Sequence, residues 1–276
     1  MRTFSRLRLI GTMVPLLGIA LSAEVGQAQQ RRSAEDFSWT GMIPSGRRLY
    51  IRNLNGSIRV ERATGDRAEV TGVKRWRRGD PADVKIEMRK VGSGEQDVIV
   101  CAIWTERTEC DEDGYDVKND RDWWGGRDNR NDVSVEFTVR LPAGVRLITS
   151  TVNGGLDIEG ATSSVEASTV NGEINAASTG GPVQASTVNG SIEVRMREMG
   201  TETLDFSTVN GSITVYVPDN INAELEMRTV NGRVSSDFPL QVQGRINPRR
   251  LRATLGRGGQ RIEFSTVNGS VELRKN

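Results

Sequence analysis

The tetrapeptide Thr-Val-Asn-Gly recurs along this chain and constrains its fold more than any other feature. The copies begin at Thr151, Thr169, Thr187, Thr208, Thr229 and Thr266, and a relaxed copy, Leu54-Asn55-Gly56-Ser57-Ile58, lies nearer the N-terminus. Successive asparagines of the six copies are 18, 18, 21, 21 and 37 residues apart. A repeat of roughly 20 residues is typical of stacked architectures, in which each unit buries its core against its neighbours. The sequence therefore predicts an all-β fold, a β-helix-like solenoid of stacked 18–21-residue coils with an N-terminal β region.

A branched apolar residue follows each copy at a fixed distance. Val170 and Ile174 are four residues apart, and the spacing recurs at Val188/Ile192, Val209/Ile213, Val230/Val234 and Val267/Val271. Because side chains alternate along a strand, both members of a pair are expected on one face, where stacked coils form apolar ladders about 4.8 Å apart. Thr and Asn are expected on the other face or at a bend. The long gap before Asn268 is expected to hold one less regular coil or a cap.

The Asn-Gly pairs are predicted to make the bends of the coils. They are Asn153-Gly154, Asn171-Gly172, Asn189-Gly190, Asn210-Gly211, Asn231-Gly232 and Asn268-Gly269. Both residue types tolerate positive φ, which explains a Gly directly after Asn at a tight bend. A single Asn-Gly also fits an antiparallel hairpin, but copies at nearly constant spacing favour a repeated corner.

The chain divides by its sequence pattern into four segments. They are a signal peptide at 1–28, a lead-in at 29–47, an N-terminal β region at 48–140 with a polar insertion at 111–132, and the repeat solenoid at 141–276. The first segment has a basic start, an apolar run from Leu9 to Leu21 and small residues before Gln29, as signal peptides do. That run is too short and too interrupted for a membrane span. We therefore expect an exported protein, periplasmic or at the cell surface, with no transmembrane segment after signal cleavage.

The two cysteines, Cys101 and Cys110, are predicted to form a disulfide, as an oxidising compartment favours. Residues 98–104 have the pattern of a strand, and residues 107–110 are expected to return antiparallel to it after a turn at Thr105-Glu106. This pairing places the two cysteines opposite each other at bonding distance. A metal pair or a catalytic thiol is disfavoured because the chain has no histidine.

At these motifs the chain resembles a bacterial family of β-strand-repeat proteins of unknown function known as "putative adhesin". The resemblance covers roughly residues 45–275 and rests on the serial Ser-Thr-Val-Asn-Gly copies and three further stretches. These stretches are Asn55 to Ile58, Phe137 to Gly144, and Leu255 to Ile262 before the last copy. The resemblance implies a β-solenoid in an envelope or extracellular setting, and it brings no catalytic or binding residues.

Composition argues against catalysis and against nucleic-acid binding. No histidine is available for a triad or a general base, and the disulfide leaves no free cysteine. Removing residues 1–28 takes away three of 37 basic and one of 36 acidic residues, which leaves 34 against 35 and no charge surplus for nucleic acid. No cofactor is expected, and the expected partner is an envelope glycopolymer or another surface protein. A β-helix enzyme that cleaves acidic polysaccharides with carboxylates is a third alternative.

The polar insertion 111–132 is the first candidate for ligand binding. Asp111, Asp113 and Asp116 surround Gly114 and offer the carboxylate oxygens that calcium prefers, although their spacing is not that of an EF-hand. The pair Trp123-Trp124 fits either stacking on sugar rings or plugging an open end of the solenoid. A glycan- or calcium-binding surface protein that uses this loop is therefore the alternative function, and a surface loop without a ligand explains the same composition.

The stretch before the last repeat is the second candidate, because it is rich in arginine and has no acidic residue between Phe238 and Ile262. Its candidate contacts for an anionic polymer are Arg245, Arg249, Arg250 and Arg252. Edge-strand charges that prevent end-to-end aggregation explain the same pattern. Acidic residues within the repeats, such as Glu226, are expected on solvated faces. The sequence thus predicts an exported non-enzymatic solenoid, an envelope-associated structural or adhesion-like module.

Overall fold

The computed structural model describes residues 36–104, 108–117, 131–242 and 249–276. Within these ranges the regular structure is β-strand, with two short 3₁₀ turns at Pro81–Asp83 and Ser93–Glu95 and no α-helix. The prediction of an all-β fold is confirmed. The same ranges contain no helix that is long and apolar enough to cross a membrane.

The strands form two large sheets and one small hairpin. In chain order they are β1 (Phe37–Met42), β2 (Arg48–Arg52), β3 (Ile58–Arg62), β4 (Arg67–Arg75), β5 (Lys85–Val91), β6 (Asp97–Ile103), β7 (Thr108–Cys110), β8 (Tyr115–Val117), β9 (Ser134–Leu141), β10 (Arg146–Ser150), β11 (Leu156–Ala161), β12 (Val165–Ser168), β13 (Ile174–Ser178), β14 (Val183–Ser186), β15 (Ile192–Met196), β16 (Leu204–Ser207), β17 (Ile213–Val217), β18 (Ala223–Asn231), β19 (Val234–Ser236), β20 (Gln241–Val242), β21 (Arg250–Leu255), β22 (Gln260–Asn268) and β23 (Val271–Lys275). Sheet A has ten strands in the order β1-β4-β9-β3-β11-β13-β15-β17-β23-β19. Sheet B has eleven, in the order β20-β21-β18-β22-β16-β14-β12-β10-β2-β6-β5, and β7 pairs with β8 alone.

Each coil consists of one strand in sheet B, a corner, and one strand in sheet A. Corresponding strands of neighbouring coils pair in parallel and in register, as Leu156 with Ile174 and Ile174 with Ile192 show. This arrangement is the predicted solenoid, with two strands per coil. Strands from both predicted segments, 48–140 and 141–276, take part in both sheets.

The order of the coils in space differs from their order along the chain. The stack runs β6/β9, β2/β3, β10/β11, β12/β13, β14/β15, β16/β17, β22/β23, β18/β19. The coil that comes first in the chain and the coil that comes last are therefore each second from an end of the stack. Antiparallel strands pair with the outermost coils, β4 and β5 at one end and β21 at the other. The long gap between Asn231 and Asn268 thus contains β19, the strands β20 and β21 that cap sheet B, and β22, whereas β18 ends at Asn231.

The core lies between the two sheets and contains the apolar residue that follows each corner. Ile174, Ile192 and Ile213 are at most 1% exposed and stack in register. Burial of such a side chain contributes about 2 kcal/mol. The aromatic rings of Phe206 and Phe264 stack within the same core, with centroids 5.3 Å apart.

The expectation that the valine of the repeat joins this core is wrong. Val170 and Val188 are 38% and 39% exposed, whereas Thr169 and Thr187 are only 5% and 6% exposed. Alternation holds only within a strand, and β12 ends at Ser168 before β13 begins at Ile174. Because the chain turns from one sheet to the other between these strands, the corner reverses the alternation and the threonine points inward.

The threonines and asparagines of the corners join each coil to the next. The Thr169 hydroxyl donates to the Gly154 carbonyl of the adjacent coil over 3.0 Å, and the other copies repeat this bond. The amides of the asparagines donate to one another in a single ladder, each bond 2.7–2.8 Å long. The ladder runs Asn55, Asn153, Asn171, Asn189, Asn210, Asn268, Asn231. The Asn-Gly pairs therefore lie where the chain passes from sheet B to sheet A.

The glycine of the corner is needed mainly for close backbone approach, which corrects the explanation from positive φ. Of the corner glycines only Gly56 and Gly269 have φ in the left-handed range. A Cβ on Gly190 would lie 1.9 Å from the Gly172 carbonyl oxygen, and one on Gly172 would lie 2.0 Å from that of Gly154. No side chain fits between coils stacked this closely.

The disulfide joins Cys101 to Cys110, as predicted, but not across an antiparallel pair of strands. Both edges of β6 are already occupied, by β2 and β5, and β7 pairs with β8 instead. The bond fastens the β7–β8 hairpin onto the outer side of sheet B. There Cys101 and Cys110 share a second small apolar cluster with Tyr50 and Ile99.

Along the chain, the polar insertion falls between the two strands of coil β6/β9. In every other coil a short turn links the sheet B strand to its sheet A partner, and in coil β6/β9 the chain between Ile103 and Ser134 makes this link. Coil β6/β9 is the outermost coil at its end of the stack, so only one coil, β2/β3, packs against it. This explains how a long insertion is accommodated here without breaking the stack.

Candidate binding face on the outer side of sheet B

The outward side chains of sheet B form rows that cross the strands. Because parallel strands pair in register, one row contains Tyr50, Ile148, Glu166, Gln184, Asp205, Glu263, Glu226 and Arg252. A second row, next to the corners, contains Arg52, Ser150, Ser168, Ser186, Ser207, Ser265, Arg228 and Arg250. Adjacent members lie about 4.8 Å apart, the spacing of strands in a sheet. We call this surface the binding face.

A groove of about 780 Å³ lies on the binding face beside the β7–β8 hairpin. Its floor comes from β2, β10, β12, β14 and β16, and its walls from Gly92, Glu112 and Asp113. The volume lies within the range of small-ligand sites. The lining is mostly polar, with carboxylates, hydroxyls, an amide and two guanidinium groups.

The hairpin wall is held by bonds besides the disulfide. The Tyr115 hydroxyl donates to the Ala102 carbonyl over 2.6 Å, and Arg89 donates to the Cys110 carbonyl. The Gly92 amide donates to the Glu112 carboxylate over 3.2 Å. Burial raises the pKa of Tyr115, so its hydroxyl stays a donor at neutral pH. The wall is therefore fixed to sheet B from several directions.

Arg52 lies where the floor meets the wall and is only 7% exposed. Its guanidinium donates to the Ser150 hydroxyl over 3.0 Å and to the Glu112 carbonyl, and it lies 5.7 Å from the centre of the Tyr50 ring. Its Nε has no hydrogen-bond partner within the described part of the chain. Burial lowers the pKa of Arg52, although an arginine remains charged at neutral pH.

The middle of the groove floor is acidic. Glu166 is exposed, and partial burial raises the pKa of Asp205, helped by Glu263 and opposed by a hydrogen bond with Ser207. Arg48 begins the strand β2 that Arg52 ends, and its backbone amide donates to Asp97 over 2.9 Å. Acceptors thus dominate the floor, and guanidinium donors stand at one end.

Beyond the groove, four arginines surround one buried carboxylate, and we call this group the arginine cluster. Glu226 Oε1 accepts from Arg228 Nε (2.8 Å), Arg252 Nε (2.9 Å) and Arg250 Nη2 (3.2 Å), and Oε2 accepts from Arg261 Nη2 (3.0 Å). Burial of the carboxylate acts to raise its pKa, but hydrogen bonds from the arginines outweigh it and lower the pKa of Glu226 to about 2. The expectation of a solvated Glu226 is therefore wrong. Antiparallel pairing of β18 with β21 brings Arg250 and Arg252 to it, and parallel pairing with β22 brings Arg261.

The residues predicted for ligand binding fall in different places. The Asp111 carboxylate accepts from the Asp113 and Gly114 amides over 2.9 and 3.0 Å, closing its own turn, while Asp113 lines the groove. The side chain of Asp116, and Trp123, Trp124 and Arg245 entirely, lie outside the described residues. Within those residues no three His, Cys, Asp or Glu side chains cluster as metal ligands would.

Arg250 and Arg252 belong to the arginine cluster, and the carbonyl oxygen of Arg249 accepts a hydrogen bond from the Thr229 amide. Sequence reasoning missed Arg52, Glu166, Gln184 and Asp205 as groove residues. The sequence contained a signal for them, because each is a polar residue in a strand that alternates apolar and polar residues, such as Val165-Glu166-Ala167-Ser168. Which coils face the hairpin could be seen only in three dimensions.

These observations define a class of protein, a two-sheet parallel β-solenoid with a regular bonded corner and a polar face. Residues 126–274 match the model of the family described as Toastrack DUF4097. The match spans more than half of the chain, and the chain belongs to this family. The resemblance predicted from the repeats is thereby confirmed.

Two solved structures are similar to the chain. A "putative cell adhesion protein" from Clostridium sporogenes has 10% identity and a TM-score of 0.37, covering 87% of this chain and 100% of its own. A "putative adhesin" from Bacteroides fragilis has 9% identity and a TM-score of 0.25, covering 87% of this chain and 97% of its own. No curated protein sequence matches the chain.

Proposed function

We propose that the protein is an exported, non-enzymatic, adhesion-like module that holds a glycopolymer of the cell envelope along its binding face. The observation that carries this proposal is the groove, a walled polar channel on a face whose side chains repeat at strand spacing. An extended polymer can contact several strands of such a face at once, and many weak contacts add up to firm attachment. The bonded stack beneath supplies a rigid support.

The chemistry of the face supports binding rather than catalysis. The chain has no histidine, and both cysteines are in the disulfide. Hydroxyl, amide and carboxylate groups such as Ser168, Gln184 and Glu166 match the donors and acceptors of sugars. The arginine cluster offers guanidinium groups to any acidic groups of the same polymer.

The alternative glycan contact through the polar insertion uses part of the same surface, because Glu112 and Asp113 line the groove. We therefore treat the wall and the floor as one site. Calcium binding by the insertion has no such support in the described residues, where the Asp111 carboxylate is engaged by backbone amides.

A steric block tests the proposed function. In Ser186→Trp an indole fills the groove floor, whereas Thr214→Trp places the same side chain on the outer side of sheet A as a matched control. We expect purified mature protein to be retained on immobilised envelope polysaccharide, and only Ser186→Trp to lose retention. Equal retention of both variants, or shortening of the bound polymer with time, would contradict the proposal.

Export is tested on the same material. We expect mass spectrometry of the protein recovered from outside the cytoplasm to place the mature N-terminus at Gln29. An intact Met1 terminus confined to the cytoplasm would contradict export.

A further inference from the structure

We propose that the groove binds amino sugars, that is, sugar units that carry a free, protonated amine. This inference rests on the proposed function and names the chemical class of the polymer segment that occupies the groove. Three features of the groove carry it: its charge, an unused donor at its base, and the absence of free backbone groups on its floor.

The charge of the groove favours a cation. Among the described residues that line it, five are acidic, Asp97, Glu112, Asp113, Glu166 and Asp205, and two are basic, Arg48 and Arg52. The lining thus has a surplus of three negative charges. A concave surface with one dominant sign of charge raises the local concentration of opposite charge. A uronic acid or a phosphate would be repelled here, and an amine would be attracted.

Arg52, at the base of the wall, has one donor that no described residue accepts. Arg52 is more than nine-tenths buried, and its Nε has no acceptor among the described residues, although its other two nitrogens are engaged. An unpaired buried donor costs about 1–3 kcal/mol. A sugar hydroxyl bound beside Arg52 can accept from Nε after a small shift of the guanidinium, and it can donate its own proton to a carboxylate of the lining. A protonated alkyl amine without hydroxyl groups can donate to the carboxylates but cannot accept from Arg52.

The floor of the groove excludes a peptide that binds as an added strand. The floor strands β10, β12 and β14 each pair on both sides, so their backbone groups are already bonded. A basic peptide laid on them would leave its own amides and carbonyls unpaired, which is costly. Side chains are what the floor offers, and Ser168, Gln184 and Ser186 suit hydroxyl groups arranged around a ring.

Two oligosaccharides with the same backbone but different charge distinguish the contribution of charge to binding from that of shape. Calorimetric titration of the mature protein with a β-1,4-linked glucosamine hexamer is compared with its N-acetylated counterpart, which lacks the charge. We expect the amine form to bind at least about tenfold more tightly, equivalent to roughly 1.4 kcal/mol. Added salt should reduce that difference. Equal or weaker binding of the amine form would overturn the inference.

A variant that removes one negative charge from the groove tests whether the preference for the amine form arises there. Glu166→Gln should lower affinity for the glucosamine hexamer severalfold and leave affinity for the N-acetylated form unchanged. Glu159→Gln, an exposed position on the outer side of sheet A, is the matched control and should change neither. Tighter binding of an oligogalacturonate than of the amine form, or equal effects of the two variants, would also overturn the inference.

The two proposals fail in different ways. If the N-acetylated or acidic oligomer binds best and Ser186→Trp abolishes that binding, the amino-sugar inference is wrong and the proposed function stands. If Ser186→Trp changes the retention of no polymer, the proposed function itself is wrong.

Discussion

The Thr-Val-Asn-Gly corner and the binding face are built from the same coils, yet their repeating groups behave differently. At the corner each asparagine bonds to the asparagine of the next coil, so identical residues satisfy one another. In the first row of the face the residue changes from coil to coil, as Ile148, Glu166 and Gln184 show, and the serines of the second row do not form a ladder like that of the asparagines. Groups that bond within the stack are used for folding, and groups that do not remain available to a ligand. The comparison assigns stability to the corner and recognition to the face.

The largest expected effect comes from filling the space between two corners. Gly190→Ala puts a Cβ 1.9 Å from the Gly172 carbonyl oxygen, whereas Gly155→Ala, near another corner, puts one 3.5 Å from its nearest neighbour. We expect Gly190→Ala to lower the free energy of unfolding by about 3 kcal/mol or more, measured by chemical denaturation. Gly155→Ala should cost less than about 1 kcal/mol, and equal losses would contradict the account of the corner.

In the arginine cluster four side chains of the face bond to one buried carboxylate, so this part of the face should also contribute to stability. Glu226→Gln should cost about 2–3 kcal/mol at neutral pH, because four guanidiniums lose their common partner. Glu263→Gln, which removes the carboxylate paired with Arg261 alone, should cost less than about 1 kcal/mol.

The contribution of Glu226 to the free energy of unfolding is predicted to depend on pH. The pKa of Glu226 is lowered from 4.5 to about 2 in the folded protein. Its stabilisation is therefore fully present above pH 4.5 and is lost as the pH falls toward 2. The stability difference between wild type and Glu226→Gln should narrow over that interval, and a constant difference would show that the carboxylate charge is not what stabilises the cluster.

The asparagine ladder predicts a graded loss. Asn189→Ala removes two ladder bonds, one to Asn171 and one from Asn210, whereas Asn231→Ala at the end of the ladder removes one. We expect a loss of about 1–2 kcal/mol for the first and about half of that for the second. Thermal unfolding of both variants tests the gradation, and glycan binding should be unchanged in each. A larger loss at Asn231 would rule out the ladder as the source.

The smallest expected effect is that of replacing a buried threonine by valine. The resulting change in the free energy of unfolding should have opposite signs at two positions. Thr149 is 1% exposed and its hydroxyl has no partner among the described residues, whereas the Thr187 hydroxyl donates to Gly172 over 3.1 Å. Replacement by valine should raise the free energy of unfolding by about 1 kcal/mol at position 149 and lower it by a similar amount at position 187. The same sign at both positions would show that hydroxyl pairing is not the cause.

Much of the fold follows from local sequence. The period of the repeats predicts stacked coils, and Asn-Gly predicts their corners, because both signals act over a few residues. The choice of Thr rather than Val for the interior does not follow, because alternation breaks where β12 ends and β13 begins. The reason for glycine also lies outside its own coil, in the carbonyl of the neighbouring one.

The candidate site was harder to predict because it depends on which coils become neighbours in space. The last coil, β22/β23, inserts beside β16/β17, ahead of β18/β19, and nothing in the spacing of the repeats indicates this. The pairing of β18 with β21 and β22 brings Arg250, Arg252 and Arg261, which are far from Glu226 in the chain, into the arginine cluster. The disulfide could be predicted because its cysteines are nine residues apart, but its role as the wall of a groove depends on the coils behind it.

Backbone amide chemical-shift mapping of the mature protein, titrated with fragments of envelope polysaccharide, tests the central claim most directly. The account predicts shifts concentrated on the floor of the groove, at Tyr50, Glu166 and Gln184, with the amides of Asn171 and Asn189 unchanged. Shifts concentrated along the asparagine corner or on the outer side of sheet A would contradict it.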